Sequence, residues 1–315
     1  MHDVDILIRG SLPQPLRDAL HENYRCHDHA GGDAGGALDM AAAARIRGLA
    51  QGGWTVTPPA FLDSLPALEL ISVFGVGYDG VPVDYCRGRG IRVTHTPDVL
   101  TDDVADLGLA LVLMSVRELV RLDRFVREGR WLAGSPPLTT RLAGRTAGIL
   151  GLGRIGTAIA RRVEAIGMKV AWTGRKPRDT PWRYVADLAE LARESDVLVV
   201  ACPGGPATRH LVDAKVLAAL GPEGVLVNIA RGSIVDEDAL VRALADGTIK
   251  AAGLDVYADE PRVPPPLLSM DNVVLLPHVG SATRETRKAM ADLCKANLDA
   301  WFDSGRVLTL VAELG

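Results

Sequence analysis

The stretch that most constrains this chain is Thr146-Ala147-Gly148-Ile149-Leu150-Gly151-Leu152-Gly153-Arg154-Ile155-Gly156. An apolar run ends in the spacing G-x-G-x-x-G at Gly151, Gly153 and Gly156, and Thr157 to Val163 continue it with helical periodicity. A buried strand therefore turns sharply into a helix. The N-terminus of such a helix presents backbone N–H groups and positive partial charge, which suit a diphosphate. Gly151 permits the tight turn, Gly153 lets the backbone approach the diphosphate, and Gly156 lets the helix lie close on the strand. Gly-rich turns are common in a chain with 33 glycines. Here a strand precedes, a helix follows and a second strand comes at Met168–Trp172, the context of a dinucleotide-binding unit.

A chain of 315 residues is long for one core and comfortable for two domains. The remaining pattern alternates strands and helices. Strands are expected at Val4–Ile8, Trp54–Thr57, Leu70–Phe74, Ile91–Thr94, Val197–Ala201, Val225–Ile229, Ala251–Val256 and Val273–Leu276. Helices are expected at Pro15–Asn23, near Pro59–Ser64, at about Asp236–Asp246 and at about Thr283–Asp303, and Ala30 to Gly36 should be a flexible loop. A long helix should start at Thr101, its N-cap, and run to about Glu128 as a subunit contact, an interdomain contact or an ordinary core helix. This alternation indicates an α/β fold of doubly wound parallel sheets. A net charge of −4 with both signs interspersed argues against nucleic acid or an anionic membrane as partner. No signal-peptide pattern opens the chain, and Cys26, Cys86, Cys202 and Cys294 are scattered, as in a cytoplasmic protein with reduced thiols and no metal site.

Three features point to chemistry. Gly75-Val76-Gly77 directly follows an expected strand, where a loop either aims N–H groups at an anion or simply closes the unit. The second strand of the dinucleotide unit ends in Thr173-Gly174-Arg175-Lys176, where NAD-binding units usually place a carboxylate for the ribose hydroxyls. A guanidinium pairs with a 2′-phosphate that a carboxylate would repel, so NADPH is expected over NADH. Arg231, Glu260 and His278 come just past successive buried segments, and in a parallel sheet those ends share one edge. Singly, each is an ordinary surface or loop residue. Together they supply what carbonyl reduction by hydride transfer needs: a cation to hold a 2-keto acid, an imidazolium to protonate the oxygen, and a carboxylate that favours the charged imidazole.

Asn228-Ile229-Ala230-Arg231-Gly232, Gly253 to Pro261 and Pro277-His278-Val279-Gly280-Ser281-Ala282-Thr283 resemble the signature blocks of the D-isomer-specific 2-hydroxyacid dehydrogenases, as do Gly148–Gly156 and Thr96–Asp106. The chain is most similar to the glyoxylate/hydroxypyruvate reductase branch with its hydroxyphenylpyruvate reductase relatives. The resemblance implies His278 as acid/base, Glu260 as its orienting partner and Arg231 as the substrate cation. The N–H groups of Val76 and Gly77, with Ser281, would bind the substrate, and Asp255 would sit near the nicotinamide carboxamide. The candidate cofactor set is Gly151, Gly153, Arg154, Ile155, Gly156, Thr173, Arg175, Lys176, Cys202, Pro203, Ala230, Asp255, His278 and Gly280. The resemblance also implies a Rossmann-type cofactor domain (100–280) inserted in a flavodoxin-like substrate domain (1–99 with 281–315), hinges near Pro97 and Gly280, and a homodimer. Trp54 either narrows the substrate pocket or packs under it, and Phe74 is placed to favour bulky apolar keto acids. The expected reaction is NADPH-dependent reduction of a short 2-keto acid such as glyoxylate or hydroxypyruvate, with NADH weaker. An aryl-pyruvate reductase and a non-catalytic NAD(P)-sensing protein are the alternatives. A phosphoglycerate dehydrogenase would want a C-terminal regulatory domain, and a formate dehydrogenase a longer N-terminal elaboration.

Overall fold

Two parallel sheets organise the chain. The computed structural model describes residues 2–29 and 38–315, so the expected loop at Ala30–Gly36 lies outside the described residues. By its contacts the chain divides into two units, Met1–Leu100 with Ala282–Gly315, and Thr101–Ser281.

The first sheet contains β1 (Asp5–Arg9), β2 (Arg25–His29), β3 (Ile46–Gly52), β4 (Leu70–Phe74) and β5 (Arg92–Thr94), all parallel, in the order β2-β1-β3-β4-β5. This is the flavodoxin-like order. β1 and β4 are fully buried and β3 is buried except at Arg47, as parallel strands covered on both faces should be. The last helix, Arg284–Ser304, packs against it. The Ser72 hydroxyl donates to the Cys294 carbonyl at 2.8 Å, and a Cβ at Gly48 would press into Ile6, Leu298 and Phe302.

The second sheet contains β6 (Thr146–Leu150), β7 (Lys169–Thr173), β8 (Arg183–Tyr184), β9 (Val197–Val200), β10 (Val225–Asn228), β11 (Ala251–Leu254) and β12 (Val273–Leu275). Its order, β12-β11-β10-β9-β6-β7-β8, is the doubly wound arrangement with its reversal between β6 and β9. The register puts Thr173, Leu150, Val200, Asn228, Leu254 and Leu275 in one row across the sheet. That row is the last before the loops. Valine, leucine and isoleucine from both faces of the sheet form the core.

Three local expectations need correction. Trp54–Thr57 is not a strand. The strand is Ile46–Gly52, and the following residues leave it as a loop, with the Thr57 N–H donating to Gly80 O and Arg9 donating to Val56 O. The long helix from Thr101 is two helices, Thr101–Val116 and Leu119–Arg127, broken at Glu118, whose φ is +51°. The first is apolar almost all round and buries several faces; the second is strongly amphipathic, so a straight continuation could not keep both buried surfaces aligned. Thr101 also falls within the first turn of its helix, one step later than an N-cap.

Candidate active site

The loops beyond the last row of the second sheet carry the candidate residues. Gly151 follows Leu150 with φ +97°, and a Cβ there would lie 2.6 Å from the Cys202 Cα. The turn is left-handed and pressed against the end of β9, so only glycine fits. A Cβ at Gly156 would come 2.0 Å from the Gly151 carbonyl oxygen, which seats the helix Arg154–Ala165 directly on the turn. Gly153 differs, because a Cβ there would meet no atom of the described residues within 4 Å. Protein packing does not demand that glycine, and its open side lies at the helix N-terminus. These residues fit a dinucleotide diphosphate.

At the end of β7, Thr173 is buried with its hydroxyl directed to Ala186 O at 3.4 Å, while Arg175 and Lys176 stand exposed on the following bend. Arg178 was not singled out from the sequence, yet its guanidinium donates to Leu152 O at 2.5 Å, tying this bend back to the glycine turn. Cys202 is buried and its thiol is pushed up to about 11 by that burial, whereas Pro203 is exposed.

Asn228 builds the Arg231 loop. Its side-chain amide donates to Arg231 O at 2.9 Å, and its carbonyl oxygen accepts the Ala230 N–H at 3.0 Å. Arg231 donates to Ala230 O at 2.6 Å. The next residue, Gly232, lies so close to the Tyr257–Ala258 backbone that a Cβ would fall 1.9 Å from the Tyr257 carbonyl carbon. That approach brings Arg231 to the loop that carries Glu260.

Glu260 and His278 meet directly. Glu260 Oε1 accepts the Tyr257 N–H at 3.0 Å, and Oε2 lies 2.7 Å from His278 Nδ1. Burial alone would raise the Glu260 carboxyl. The His278 and Tyr257 hydrogen bonds, with the charges of His278 and Arg231, outweigh it and hold the carboxyl below its ordinary value. The contact with Glu260 engages the imidazole through Nδ1. Glu237, at the start of the helix Glu237–Ala245, accepts the Ala258 N–H at 2.9 Å and steadies this loop.

Asp255 is 1% exposed and holds the His278 segment from below. Its two carboxylate oxygens accept the Val279 and Gly280 N–H groups at 2.7 and 2.9 Å, and its carbonyl accepts the His278 N–H at 2.8 Å. Burial raises its carboxyl, opposed by these hydrogen bonds and by the His278 charge. His278 itself sits at φ +53°, a left-handed conformation that costs a side-chain-bearing residue energy and that Asp255 enforces. Ser281, half-buried, is the last residue of this unit.

In the other unit, neither the Val76 nor the Gly77 N–H donates to a protein acceptor among the described residues. The loop is held from its other side, with His95 Nδ1 2.9 Å from Val76 O and the Thr96 N–H donating to Gly75 O. Phe74 is only 3% exposed and so presents no apolar wall, whereas Trp54 is 51% exposed rather than packed beneath the loop.

Comparison with known proteins agrees with this chemistry. Residues 109–280 match the family model described as D-isomer specific 2-hydroxyacid dehydrogenase, NAD binding domain. A glyoxylate/hydroxypyruvate reductase of Arabidopsis thaliana is 51% identical over 252 residues, 79% of this chain and 80% of that one. A hydroxyphenylpyruvate reductase of Plectranthus scutellarioides is 51% identical over 251 residues, with 79% and 80% covered. The crystal structure of an NADPH-dependent glyoxylate/hydroxypyruvate reductase from Sinorhizobium meliloti, in complex with NADP and malonate, superposes with a TM-score of 0.94 at 47% identity, covering 99% of this chain and 98% of that one.

Proposed function

Since this chain belongs to the D-isomer-specific 2-hydroxyacid dehydrogenase family, and is thus a nicotinamide-dependent oxidoreductase, we propose that it reduces short 2-keto acids, glyoxylate and hydroxypyruvate foremost, with NADPH preferred over NADH. The observation that carries the reading is the His278–Glu260 pair at 2.7 Å beside Arg231, all at the carboxyl edge of the nucleotide-binding sheet.

In this reading Gly151, Gly153, Arg154, Ile155 and Gly156 hold the diphosphate, Arg175 and Lys176 the 2′-phosphate, and the 202–203, 230 and 278–280 segments the nicotinamide end. The bound cofactor supplies a hydride to the carbonyl carbon. Arg231 orients the keto acid through its carboxylate and carbonyl oxygens, helped by the unengaged N–H groups of Val76 and Gly77 and by Ser281. His278 delivers a proton from Nε2 to the carbonyl oxygen as negative charge grows there. Glu260 keeps the ring oriented through Nδ1. Asp255 holds the His278 backbone in place and presents its carboxylate near the carboxamide.

The Plectranthus relative favours a second reading, an aryl-pyruvate reductase. An absorbance assay at the nicotinamide band decides, with NADPH and NADH offered separately against glyoxylate, hydroxypyruvate, phenylpyruvate and pyruvate. NADPH oxidation with the first two supports the proposal. A preference for phenylpyruvate moves it to the second reading, and turnover with NADH alone removes the role given to Arg175 and Lys176.

We also propose a homodimer in the cytoplasm. Leu119, Val126, Trp131, Leu132 and Leu138 are 42–98% exposed along one continuous segment, an apolar surface that a second copy would cover. A monomer mass in sedimentation equilibrium would refute it. No helix among the described residues is long and apolar enough to cross a membrane, and all four cysteines are free.

A further inference from the structure

Arg287 has a place in none of these roles, and its surroundings are unusual. It lies in the first turn of the helix Arg284–Ser304, and its guanidinium carbon sits 5.6 Å from the centre of the Phe74 ring and 6.0 Å from that of the Trp54 ring. The side chain is half-buried, and burial lowers its affinity for the proton relative to a free guanidinium. Yet no carboxylate, hydroxyl or carbonyl among the described residues lies within hydrogen-bond or ion-pair distance of its side chain. Withdrawing a cation from water without an acceptor is costly, and a fold does not gain by it.

Arg9 gives the contrast. It stands on the same sheet edge, is buried and stacked over Phe61 at 4.3 Å, and donates to Val56 O and the Thr57 hydroxyl, both at 2.7 Å. Arg9 holds a loop. The guanidinium of Arg287 has no such acceptor among the described residues. Two rings about 6 Å away attract the cation but offer no hydrogen-bond acceptor, so its N–H groups remain for an external one.

Its location says which acceptor. Phe74 is followed at once by Gly75-Val76-Gly77. The Gly53 N–H donates to Phe74 O at 3.1 Å, and a Cβ at Gly53 would touch Gly77 O at 3.1 Å, so the Trp54 and Val76–Gly77 loops are one cluster. That cluster contains the two N–H groups already assigned to the substrate carboxylate.

We propose that Arg287 is a specificity residue that reads the far end of the 2-keto acid, favouring substrates with a hydroxyl or second carboxylate there over those ending in hydrogen or an aromatic ring. The inference rests on the assignment of Val76 and Gly77 to the substrate. A charged donor left unmatched discriminates strongly, because a substrate without the acceptor leaves the site's cation unpaired.

The test uses Arg287→Met, which keeps the stem over Phe74 and Trp54, and Arg287→Lys, which keeps the charge without the planar fork. Steady-state constants are measured with NADPH and glyoxylate, hydroxypyruvate, oxaloacetate and phenylpyruvate. Arg287→Met should lower the ratio of kcat/KM for hydroxypyruvate and oxaloacetate to that for glyoxylate by about tenfold or more, mainly through KM, and Arg287→Lys should fall between. A uniform loss on all four acids, or no change in the ratio, overturns the proposal. So does a wild-type preference for phenylpyruvate that weakens in Arg287→Met. Calorimetric titration with tartronate, a dicarboxylate, covers the case of an enzyme inactive on every acid offered. That inactivity would defeat the proposed function. Tartronate binding weakened about tenfold in Arg287→Met would still support the Arg287 assignment, and equal or absent binding would overturn it.

Discussion

Replacing Gly153 with alanine should separate binding from folding. The residue has φ −76° and ψ −163°, extended backbone open to any side chain, and an added Cβ meets no atom of the described residues within 4 Å. The fold should therefore tolerate the change to within about 1 kcal/mol, with a slight gain possible from a stiffer unfolded chain. For a unit of this size that is a change of about 2–4 °C in Tm. The methyl group would stand where the diphosphate approaches the helix N-terminus, so NADPH affinity should fall by about one to two orders of magnitude, roughly 1.4–2.8 kcal/mol. Gly156→Ala is the control. Its Cβ would fall 2.0 Å from a backbone oxygen that no rotamer change can move. It should cost about 1–3 kcal/mol or more in stability. Differential scanning calorimetry of both variants without ligand, alongside NADPH titration by fluorescence, reads the two effects. If Gly153→Ala bound NADPH as tightly as the wild type, the diphosphate would not pass this residue. If it melted as early as Gly156→Ala, the open space described at Gly153 would be wrong.

His278→Gln should reduce kcat by about 10²–10⁴ while leaving the NADPH dissociation constant nearly unchanged; full turnover would remove the imidazole from the mechanism. Arg175→Ala with Lys176→Ala should raise KM for NADPH and leave KM for NADH within a factor of about two, and an equal rise for both would mean these cations do not meet a 2′-phosphate. Glu260→Gln should lower kcat by about tenfold or more, because the carboxylate that orients the imidazole through Nδ1 is gone; an unchanged kcat would argue against that pairing. The lowered carboxyl of Glu260 also has a stability sign. Its contribution is present above the unfolded glutamate value, about 4.3, and is lost as pH falls through the lower folded value. The difference in Tm between wild type and Glu260→Gln should therefore shrink below about pH 4, and a difference that widened on acidification would contradict the assignment.

Most of the nucleotide-binding sheet was legible because β6, β9, β10 and β12 are short apolar runs rich in valine, leucine and isoleucine, whereas the two-residue β8, Arg183–Tyr184, carries no such run. The substrate-side sheet was less so. β3 carries Gly48 and Ala50, small because a helix and neighbouring strands crowd them, and so lacks a β-branched signal. β2, Arg-Cys-His-Asp-His, is a polar edge strand whose side chains pair with Asp5 and with each other's neighbours rather than with a core. Arg231, Glu260 and His278 could be found because they end successive strands. Asn228 could have been, as a lone amide closing an apolar run. Glu237, Arg178 and Arg287 could not: their importance lies in contacts to residues far away in sequence, and their local patterns read as helix starts or solvated turns.

The division of the chain has a consequence for its synthesis. The helix that covers one face of the first sheet, through Ser72, Gly48 and Leu298, belongs to the later of that unit's two segments. Roughly 180 residues of the second unit come between. At about 5–20 residues per second, the strands of the N-terminal unit wait on the order of 10–40 s for their cover, while the inserted unit has all its own strands and can close first. Until the helix Arg284–Ser304 emerges, the face of the first sheet that it covers has no partner, and docking of that helix closes the first unit.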